Sequence, residues 1–381
     1  MNFFKEELEK IKQADQDRNM TYLESAQDSK VLIDGKEYLI FGSNNYLNLS
    51  NNREIIESVK DAVDKYGYGS GGSRLTTGSY DVNRRLEEDL AKFKGTEKAL
   101  VFNTGYMANV GVISAICDRK WSIFSDRINH GSIVDGIVLS GAKFKRYKHN
   151  DIEDLKKLLS EDESKYKLIV TDGVFSMDGD IAPLEEISLL AKEYEALLMI
   201  DDAHGVGVLG ENGKGTVSHL GLEGKVDIQV GTLSKAFGCI GGYVAGDADM
   251  VDYVKNRAKS FIFATSNPPL NSVAVLKSLE LVKNADEKRK DLLEKSAYLR
   301  RKLKEKNFDV IDGITPIIAV VVGSSKEVLR IQNSLLEEGI YVPGIRPPTV
   351  PRNTGRLRIS LMSNHTYGDL DILIKKLGEI L

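Results

Sequence analysis

Two stretches pass from a run of apolar residues into polar residues and glycine: LIVTDGVFSMDGD (residues 168–180) and LLMIDDAHG (residues 197–205). A third stretch, GTLSKAFG (residues 231–238), follows the strand-like run VDIQV. Nearly continuous apolar runs of this length are typical of parallel strands that are covered on both faces. Because ligands of such sheets gather at the carboxyl ends of the strands, we expect these three strand ends to border one site.

The pattern continues outward from these stretches. Other strand-like runs alternate with helical patterns, namely ALVFN (99–103), WSIFSD (121–126), KFKRYKH (143–149) and GGYVAG (241–246). This alternation predicts an α/β fold with a mostly parallel central sheet and helices on both faces. A long charged helical stretch (about 270–306) precedes the runs IIAVVVG, GIYV and RLRISL, which indicate a smaller α+β domain.

We therefore expect three regions along the chain. Residues 1–50 hold an amphipathic helix (about 1–20) and short strands that pack with the small domain. Residues 51–280 form the large domain, and residues 281–381 form the small C-terminal domain.

The bulk composition excludes several classes of protein. The chain has 381 residues and a net charge of −4, which favours neither nucleic acid nor an anionic membrane as a partner. It has no run of about 18 apolar residues and no apolar signal core at the N-terminus. Its two cysteines, Cys117 and Cys239, lack the spacing of a thiolate metal site. We expect a cytoplasmic enzyme without a metal.

Lys235 lies within GTLSKAFG, among small residues at the end of a buried strand. That position suits an amine that forms a Schiff base with an aldehyde better than a solvated charge. An aldehyde cofactor such as pyridoxal phosphate also needs a carboxylate at its ring nitrogen. Asp201 ends the preceding strand and is the candidate, since Asp202 points to the opposite face. His204 and Ser176 are candidates for contact with the ring oxygen.

Each of these residues has a simpler explanation when it is taken alone. A strand-end aspartate is more often a helix cap, and a single histidine is usually structural. Their joint occurrence on successive strands, with the lysine on the next strand, is what favours a cofactor site.

A candidate phosphate site lies in FNTGYMANVG, where a strand ends and Gly105 and Tyr106 open a helix. Free amides and the positive end of the helix dipole suit a phosphate there, and Thr232 offers a hydroxyl. This turn is weak evidence by itself, because glycine is common where a strand leads into a helix. His130, after another strand, either stacks on the pyridine ring or is a surface-loop residue.

Arginines are concentrated in GIRPPTVPRNTGRLRISL near the C-terminus. Arg356 and Arg358 face the same side if this segment is a strand. A guanidinium group there suits a substrate carboxylate, and an exposed salt bridge is the alternative.

Taken together, the chain resembles the α-oxoamine synthases, a pyridoxal phosphate family with the aspartate aminotransferase fold (fold type I). The resemblance covers almost the whole chain, through SNNYLNLS, GSGGSRLTTG, DRINHGSIVDG, TDGVFSMDGDIAPL, DDAHGVGVLGENGKGT and GTLSKAFG in that order. One departure is Gly205-Val206, where members often carry Gly-Thr or Ala-Thr, and we expect no catalytic consequence.

The resemblance implies a role for each matching position. The implied catalytic residues are Lys235, His130, Asp201 and His204. The implied residues for pyridoxal 5'-phosphate are Gly105, Tyr106, His130, Ser176, Asp201, His204, Thr232, Lys235 and, toward the neighbouring subunit's phosphate, Thr265. The implied substrate-binding residues are Arg18, Asn45, Thr349 and Arg358, with Arg356 as the alternative to Arg358.

The tail GIRPPTVP…GRLRISL resembles the branch of the family that acts in biotin biosynthesis. This implies a condensation of L-alanine with a pimeloyl thioester of coenzyme A or acyl carrier protein, in a homodimer with shared active sites. The alternative within the family is glycine with acetyl-CoA.

Two other classes of protein fit the sequence less well. A nicotinamide oxidoreductase needs a phosphate fingerprint after the first strand and an acidic residue about 20 positions later, which this sequence lacks. A non-catalytic binding protein would be expected to lose Lys235 or Asp201.

Overall fold

A computed structural model describes residues 2–380 of the protein. The strands are β1 (Lys30–Ile33), β2 (Lys36–Ile40), β3 (Lys98–Phe102), β4 (Trp121–Asp126), β5 (Lys143–Tyr147), β6 (Tyr166–Asp172), β7 (Leu197–Asp201), β8 (Ile228–Thr232), β9 (Gly242–Gly246), β10 (Ile317–Gly323), β11 (Ile340–Tyr341), β12 (Gly344–Ile345) and β13 (Gly355–Ser360).

The α-helices are α1 (Phe3–Gln13), α2 (Arg53–Tyr66), α3 (Asp81–Lys94), α4 (Gly105–Ile116), α5 (Gly131–Ser140), α6 (Ile152–Ser160), α7 (Leu184–Glu193), α8 (Thr216–His219), α9 (Ala248–Arg257), α10 (Lys259–Ile262), α11 (Pro269–Lys283), α12 (Asp286–Glu305), α13 (Ser325–Glu337) and α14 (Tyr367–Ile380). A 3₁₀ turn covers Glu211–Gly213. Within the described residues, no helix combines the length and apolar composition needed to cross a bilayer.

The chain packs into two compact units. The larger unit comprises Leu49–Ser176 and Ile181–Arg289. The smaller unit comprises the residues up to Asn48, the segment Met177–Asp180 and the residues from Lys290 onward. The sequence predicts boundaries at residues 50 and 280, which leave residues 177–180 inside the large domain. That division remains a prediction.

A seven-stranded sheet in the order β3-β9-β8-β7-β6-β4-β5 forms the centre of the larger unit. Strands β4 to β8 pair in parallel, whereas β9 is antiparallel to both β3 and β8. Apolar side chains cover both faces, because one cluster joins the sheet to α4, α5 and α9 and a second joins it to α6 and α7. The predicted fold class, a mostly parallel sheet with helices on both faces, is confirmed.

The smaller unit contains two short sheets. One has the order β1-β2-β11, and its core includes Val31, Ile33 and Ile40. The other has the order β10-β13-β12, with α13 packed against it. Strand β13 carries the two arginines of the C-terminal motif, and their Cα atoms pair with those of Val321 and Ala319 on β10.

Two helices differ from the expectation. The charged stretch predicted as one helix over 270–306 consists of α11 and α12. Asn284 separates them, since its side-chain amide donates to Glu280 O at 3.0 Å and caps α11. The N-terminal helix ends at Gln13 rather than near residue 20, because Asp15 takes a left-handed φ of 53°.

Candidate active site

A cavity of about 210 Å³ lies at the carboxyl ends of the parallel strands in the larger unit. Every cofactor-binding residue expected from the sequence lines it, apart from Thr265. The lining residues are Thr104, Gly105, Tyr106, Asn109, His130, Ser132, Asp172, Ser176, Asp201, Ala203, His204, Thr232, Ser234 and Lys235. Residues from five separated segments therefore meet at the predicted edge of the sheet.

Lys235 is half-buried in the loop that follows β8. Backbone hydrogen bonds close this loop, because Leu233 N donates to Gly241 O and Cys239 N donates to Leu233 O, both at 2.9 Å. Gly238 has φ of +64° and allows the chain to turn back, so that its N–H reaches Lys235 O at 2.9 Å. The lysine is thus presented from a closed loop at the edge of a rigid sheet.

Asp201 ends β7, and only 5% of its surface is exposed. One carboxylate oxygen accepts from Asn109 Nδ2 at 2.5 Å, and the other accepts from Ala203 N at 3.0 Å. Asn109 Nδ2 also donates to Ser132 Oγ at 2.9 Å, and that oxygen lies 2.7 Å from His130 Nδ1. A chain of hydrogen bonds therefore links the buried carboxylate to the candidate stacking imidazole.

His130 caps the N-terminus of α5, and its Nδ1 accepts from Ser132 N at 3.3 Å. The residue as a whole is exposed, but loss of hydration around the ring lowers the pKa of His130. Asp201 opposes this change in pKa, and Lys235 reinforces it. The neutral imidazole is thereby favoured, which suits a flat ring that packs on another ring.

The first turn of α4 forms the candidate phosphate side of the cavity. Thr104 caps the helix by accepting from Met107 N at 3.1 Å. A Cβ at Gly105 would lie 3.2 Å from Thr232 Cβ, and a Cβ at Gly242 would lie 2.5 Å from Gly105 Cα. Close backbone packing thus brings helix-terminal amides and the Thr232 hydroxyl to the same cavity.

His204 and Ser176 line the cavity, whereas Asp202 has other partners. The Asp202 side chain is fully buried and accepts from Thr216 Oγ1 at 2.7 Å, and it forms an ion pair with Lys94 at 3.3 Å. Since Thr216 follows the glycine-rich loop after His204, this pairing closes that loop behind the cavity. The expectation that the two aspartates point different ways agrees with these contacts.

Thr265 is exposed and lies outside the residues that line the cavity. Its carbonyl accepts from Asn103 Nδ2 at 2.5 Å, and it forms an isolated β-bridge with Ser73 of the GSGGSRLTTG motif. Its expected contact with a neighbouring subunit remains a prediction.

Asn45 and Arg358 belong to the smaller unit, and both are buried. Arg358 donates to two neutral oxygens, Ser360 Oγ at 2.8 Å and Asn44 Oδ1 at 3.0 Å. The other candidate, Arg356, forms an ion pair with Asp178. Because a carboxylate already occupies the Arg356 guanidinium, the contacts favour Arg358 for a substrate carboxylate.

Arg18 and Thr349 line one groove of about 640 Å³ within the smaller unit. Both residues are exposed. Arg346 holds the N-terminal segment at this groove, because its guanidinium donates to the carbonyls of Asp15 and Asp17. Arg18 and Thr349, both expected to contact the acyl substrate, thus share this groove. They are more than 300 positions apart in the sequence.

The sequence argument missed Asn109 and Asp172, which also line the cavity. Asn109 lies four residues after Gly105, one helical turn along α4, within the motif that was read only for its phosphate-side turn. Asp172 ends β6 as Asp201 ends β7, so the same strand-end pattern could have identified it.

The cavity fits a pyridoxal phosphate. It offers an amine at Lys235, a hydrogen-bonded carboxylate at Asp201, and the amides and hydroxyl at Gly105 and Thr232. Glycine at position 105 keeps the space beside Thr232 open, since a side chain would crowd it. These donor and acceptor types match the aldehyde, the ring nitrogen and the phosphate of that cofactor.

Comparison with known proteins agrees with this site. The family model for aminotransferase class I and II matches residues 36–377. The chain therefore belongs to the aminotransferase class I and II family, and the resemblance drawn from the sequence is confirmed.

Three individual proteins show how similar this chain is to known members of the family. The 8-amino-7-oxononanoate synthase of Lysinibacillus sphaericus is 46% identical over 99% of this chain and 97% of its own. A serine palmitoyltransferase variant from S. paucimobilis, with a bound PLP–myriocin aldimine, superposes with a TM-score of 0.94 at 32% identity, covering 100% of this chain and 96% of that one. The 8-amino-7-oxononanoate synthase of Francisella tularensis gives a TM-score of 0.79 at 30% identity, covering 90% and 97%.

Proposed function

We propose that this protein condenses L-alanine with a pimeloyl thioester, releases carbon dioxide and the thiol, and forms 8-amino-7-oxononanoate. The observation that carries the proposal is the cavity in which Lys235 and Asp201 meet at adjacent strand ends. Relatives that are 42–46% identical over nearly their whole length carry the name of this synthase, which supports the choice of substrates.

Pyridoxal 5'-phosphate is the cofactor in this proposal. When bound, its ring accepts the electron pair that is left on the substrate Cα when a bond to that carbon breaks. Lys235 would bind the aldehyde carbon through its amine. Asp201 would face the ring nitrogen, and Asn109 holds that carboxylate in place.

The remaining cavity residues fix the ring. His130 would pack on it, while His204 and Ser176 would contact its oxygen. The amides of Gly105 and Tyr106 would bind the phosphate together with the Thr232 hydroxyl. The imidazole is held at the start of α5, because its Nδ1 accepts from Ser132 N at 3.3 Å.

Proton movement is assigned to Lys235. With the cofactor bound, the Lys235 amine would take the proton from the Cα of alanine and would return a proton there after carbon dioxide has left. Asn45 and Arg358 would bind the carboxylate of alanine. Thr349 and Arg18 contact the acyl substrate.

The same proposal includes a cytoplasmic homodimer. Thr265 then contacts the phosphate that is bound by the neighbouring subunit. If activity stays constant on dilution until the protein sediments as a monomer, the shared site is wrong.

A substrate matrix tests the reaction. Purified protein is assayed with L-alanine, glycine and L-serine against pimeloyl, acetyl and palmitoyl thioesters. We expect the highest kcat/KM for L-alanine with pimeloyl thioester. Preference for glycine with the acetyl thioester would establish the alternative activity instead. Preference for serine with the palmitoyl thioester would place the protein with the serine palmitoyltransferases that it resembles in structure.

A further inference from the structure

Two carboxyl groups lie side by side in the cavity. The Cα atoms of Asp172 and Asp201 are register partners at the ends of the parallel strands β6 and β7. Register partners on neighbouring strands project from the same face of a sheet. Each residue is only 5% exposed, and both line the cavity. Two ionised carboxylates at this spacing, with little water around them, would repel each other strongly.

The hydrogen bonds around the pair are unequal. Asp201 accepts from the Asn109 amide at 2.5 Å and from Ala203 N at 3.0 Å, one donor to each oxygen. Asp172 accepts from the backbone N–H of His130 at 2.9 Å. Donors to a carboxylate stabilise its ionised form, so the two donors at Asp201 favour charge there.

The charged and titratable groups around Asp172 lie on several neighbouring elements, and they include Tyr147 at the end of β5. Burial raises the pKa of Asp172 most, and Asp201 on β7 raises it further. The His130 hydrogen bond and Lys235 lower the pKa, while Asp126 on β4 raises it again. The net result is a pKa of Asp172 well above the ordinary value for aspartate.

We infer that Asp172 is protonated, and that Asp201 carries the one negative charge of the pair. Asp172 is then a positioning residue, because it acts through the charge state of its neighbour. The inference deepens the proposed function, since a single carboxylate would face the ring nitrogen of the cofactor. The protonation itself is a property of the protein and can be measured without turnover.

The test compares the full-length protein with its Asp172→Asn variant, both as purified and after removal of cofactor. An asparagine keeps the shape of a protonated aspartate and keeps an oxygen for the His130 N–H. The melting temperature of both proteins is measured from about pH 4 to pH 9.

The expected sign follows from linkage. In the wild type, the folded state keeps a proton that the unfolded chain releases above about pH 4, so its stability falls as the pH rises through the window between those two pKa values. The variant has no such proton to keep. We expect equal melting temperatures near pH 4 and an advantage for the variant of about 2 to 4 °C at neutral pH.

Infrared spectra give the second measurement. The wild-type spectrum at neutral pH should contain a protonated carboxylic acid band that is missing from the Asp172→Asn spectrum. Subtracting the two spectra removes the bands of other buried acids with a raised pKa, such as Asp202 and Glu87.

Several results would overturn the inference. One is a variant that is less stable than the wild type at neutral pH, with the difference shrinking on acidification, since that result assigns a charge to Asp172. Another is a band that survives in Asp172→Asn but disappears in Asp201→Asn. Failure of Asp172→Asn to fold would also contradict it, because the amide imitates the protonated group. None of these results depends on which substrates the protein uses, so the proposed function stands or falls separately.

Discussion

The cavity around Lys235 and the groove that holds Arg18 and Thr349 are built in different ways. The cavity is bordered by strand ends of one sheet and by the helices that follow them. The groove, in the other compact unit, is bordered by the segment after α1 and by the turn before β13, and both of its key residues are exposed.

The two regions suit different tasks, namely chemistry in the cavity and substrate binding in the groove. Groups that move a proton or hold a charge lose much of their effect when they shift by about 1 Å, and a sheet edge holds them firmly. A substrate tail gains binding in small steps of about 1–3 kcal/mol for one or a few methylenes, which an exposed surface can supply. Changes in the cavity should therefore affect chemistry and stability, and changes in the groove should affect only substrate binding.

The largest effect is expected from Lys235→Ala. Removal of the amine takes away both the covalent attachment and the proton carrier, so turnover should fall by roughly 1,000-fold or more. Borohydride reduction followed by peptide mapping should label the Lys235 peptide in the wild type and nothing in the variant. Lys92→Ala, at an exposed lysine on α3 of the same unit, is the matched control and should keep both activity and label. Wild-type turnover in Lys235→Ala would end the assignment.

The sequence predicts the sheet edge well, for a physical reason. Buried parallel strands need nearly continuous apolar residues, and each strand must be followed by the residues that leave the sheet. Asp201, His204 and Lys235 could therefore be placed at one edge without coordinates. The fold and most of the cavity lining follow from this one pattern, in which an apolar strand is followed by polar residues.

Contacts between distant side chains could not be predicted in this way. Asn109 and Asp201 are 92 residues apart, and Lys94 and Asp202 are 108 residues apart. Local spacing carries no information about such pairs, because they meet only after the helices have packed on the sheet. The turn of the chain at Asp15 was missed for a related reason, since the residues before it retain a helical pattern.

The second prediction concerns the buried pair behind the cavity, Lys94 and Asp202, whose side chains are at most 1% exposed. Burial lowers the pKa of Lys94 and raises that of Asp202, while each charge opposes the change at the other. Lys94→Met leaves the carboxyl group without its partner and should lower the free energy of unfolding by about 3–5 kcal/mol. Urea unfolding measures this loss.

The double variant Lys94→Met/Asp202→Asn is the control for that loss. It removes the unpaired acid as well, and should recover part of the lost stability. If the single variant were as stable as the wild type, the ion pair would not hold the loop that follows His204.

The third prediction separates the two arginines of β13. Arg358→Ala should lower kcat/KM for alanine roughly 10- to 100-fold, because a charge-assisted contact with the substrate carboxylate is lost. Arg356→Ala should instead destabilise the fold, since it leaves the half-buried carboxylate of Asp178 without the guanidinium that pairs with it. Steady-state kinetics with alanine and thermal unfolding of both variants distinguish these effects. If Arg356→Ala loses kcat/KM and Arg358→Ala loses stability instead, Arg356 is the residue that binds the substrate.

The smallest effects are expected in the groove. Arg18→Ala and Thr349→Val should raise KM for the pimeloyl thioester by less than about 10-fold, because each residue is exposed and water screens its contacts. Their KM for alanine and their melting temperatures should not change. Arg352→Ala removes an exposed arginine of the same unit and is the matched control for loss of charge. A loss of kcat in Arg18→Ala as large as that in Lys235→Ala would erase the contrast between the two regions, because an exposed segment would then be carrying the chemistry.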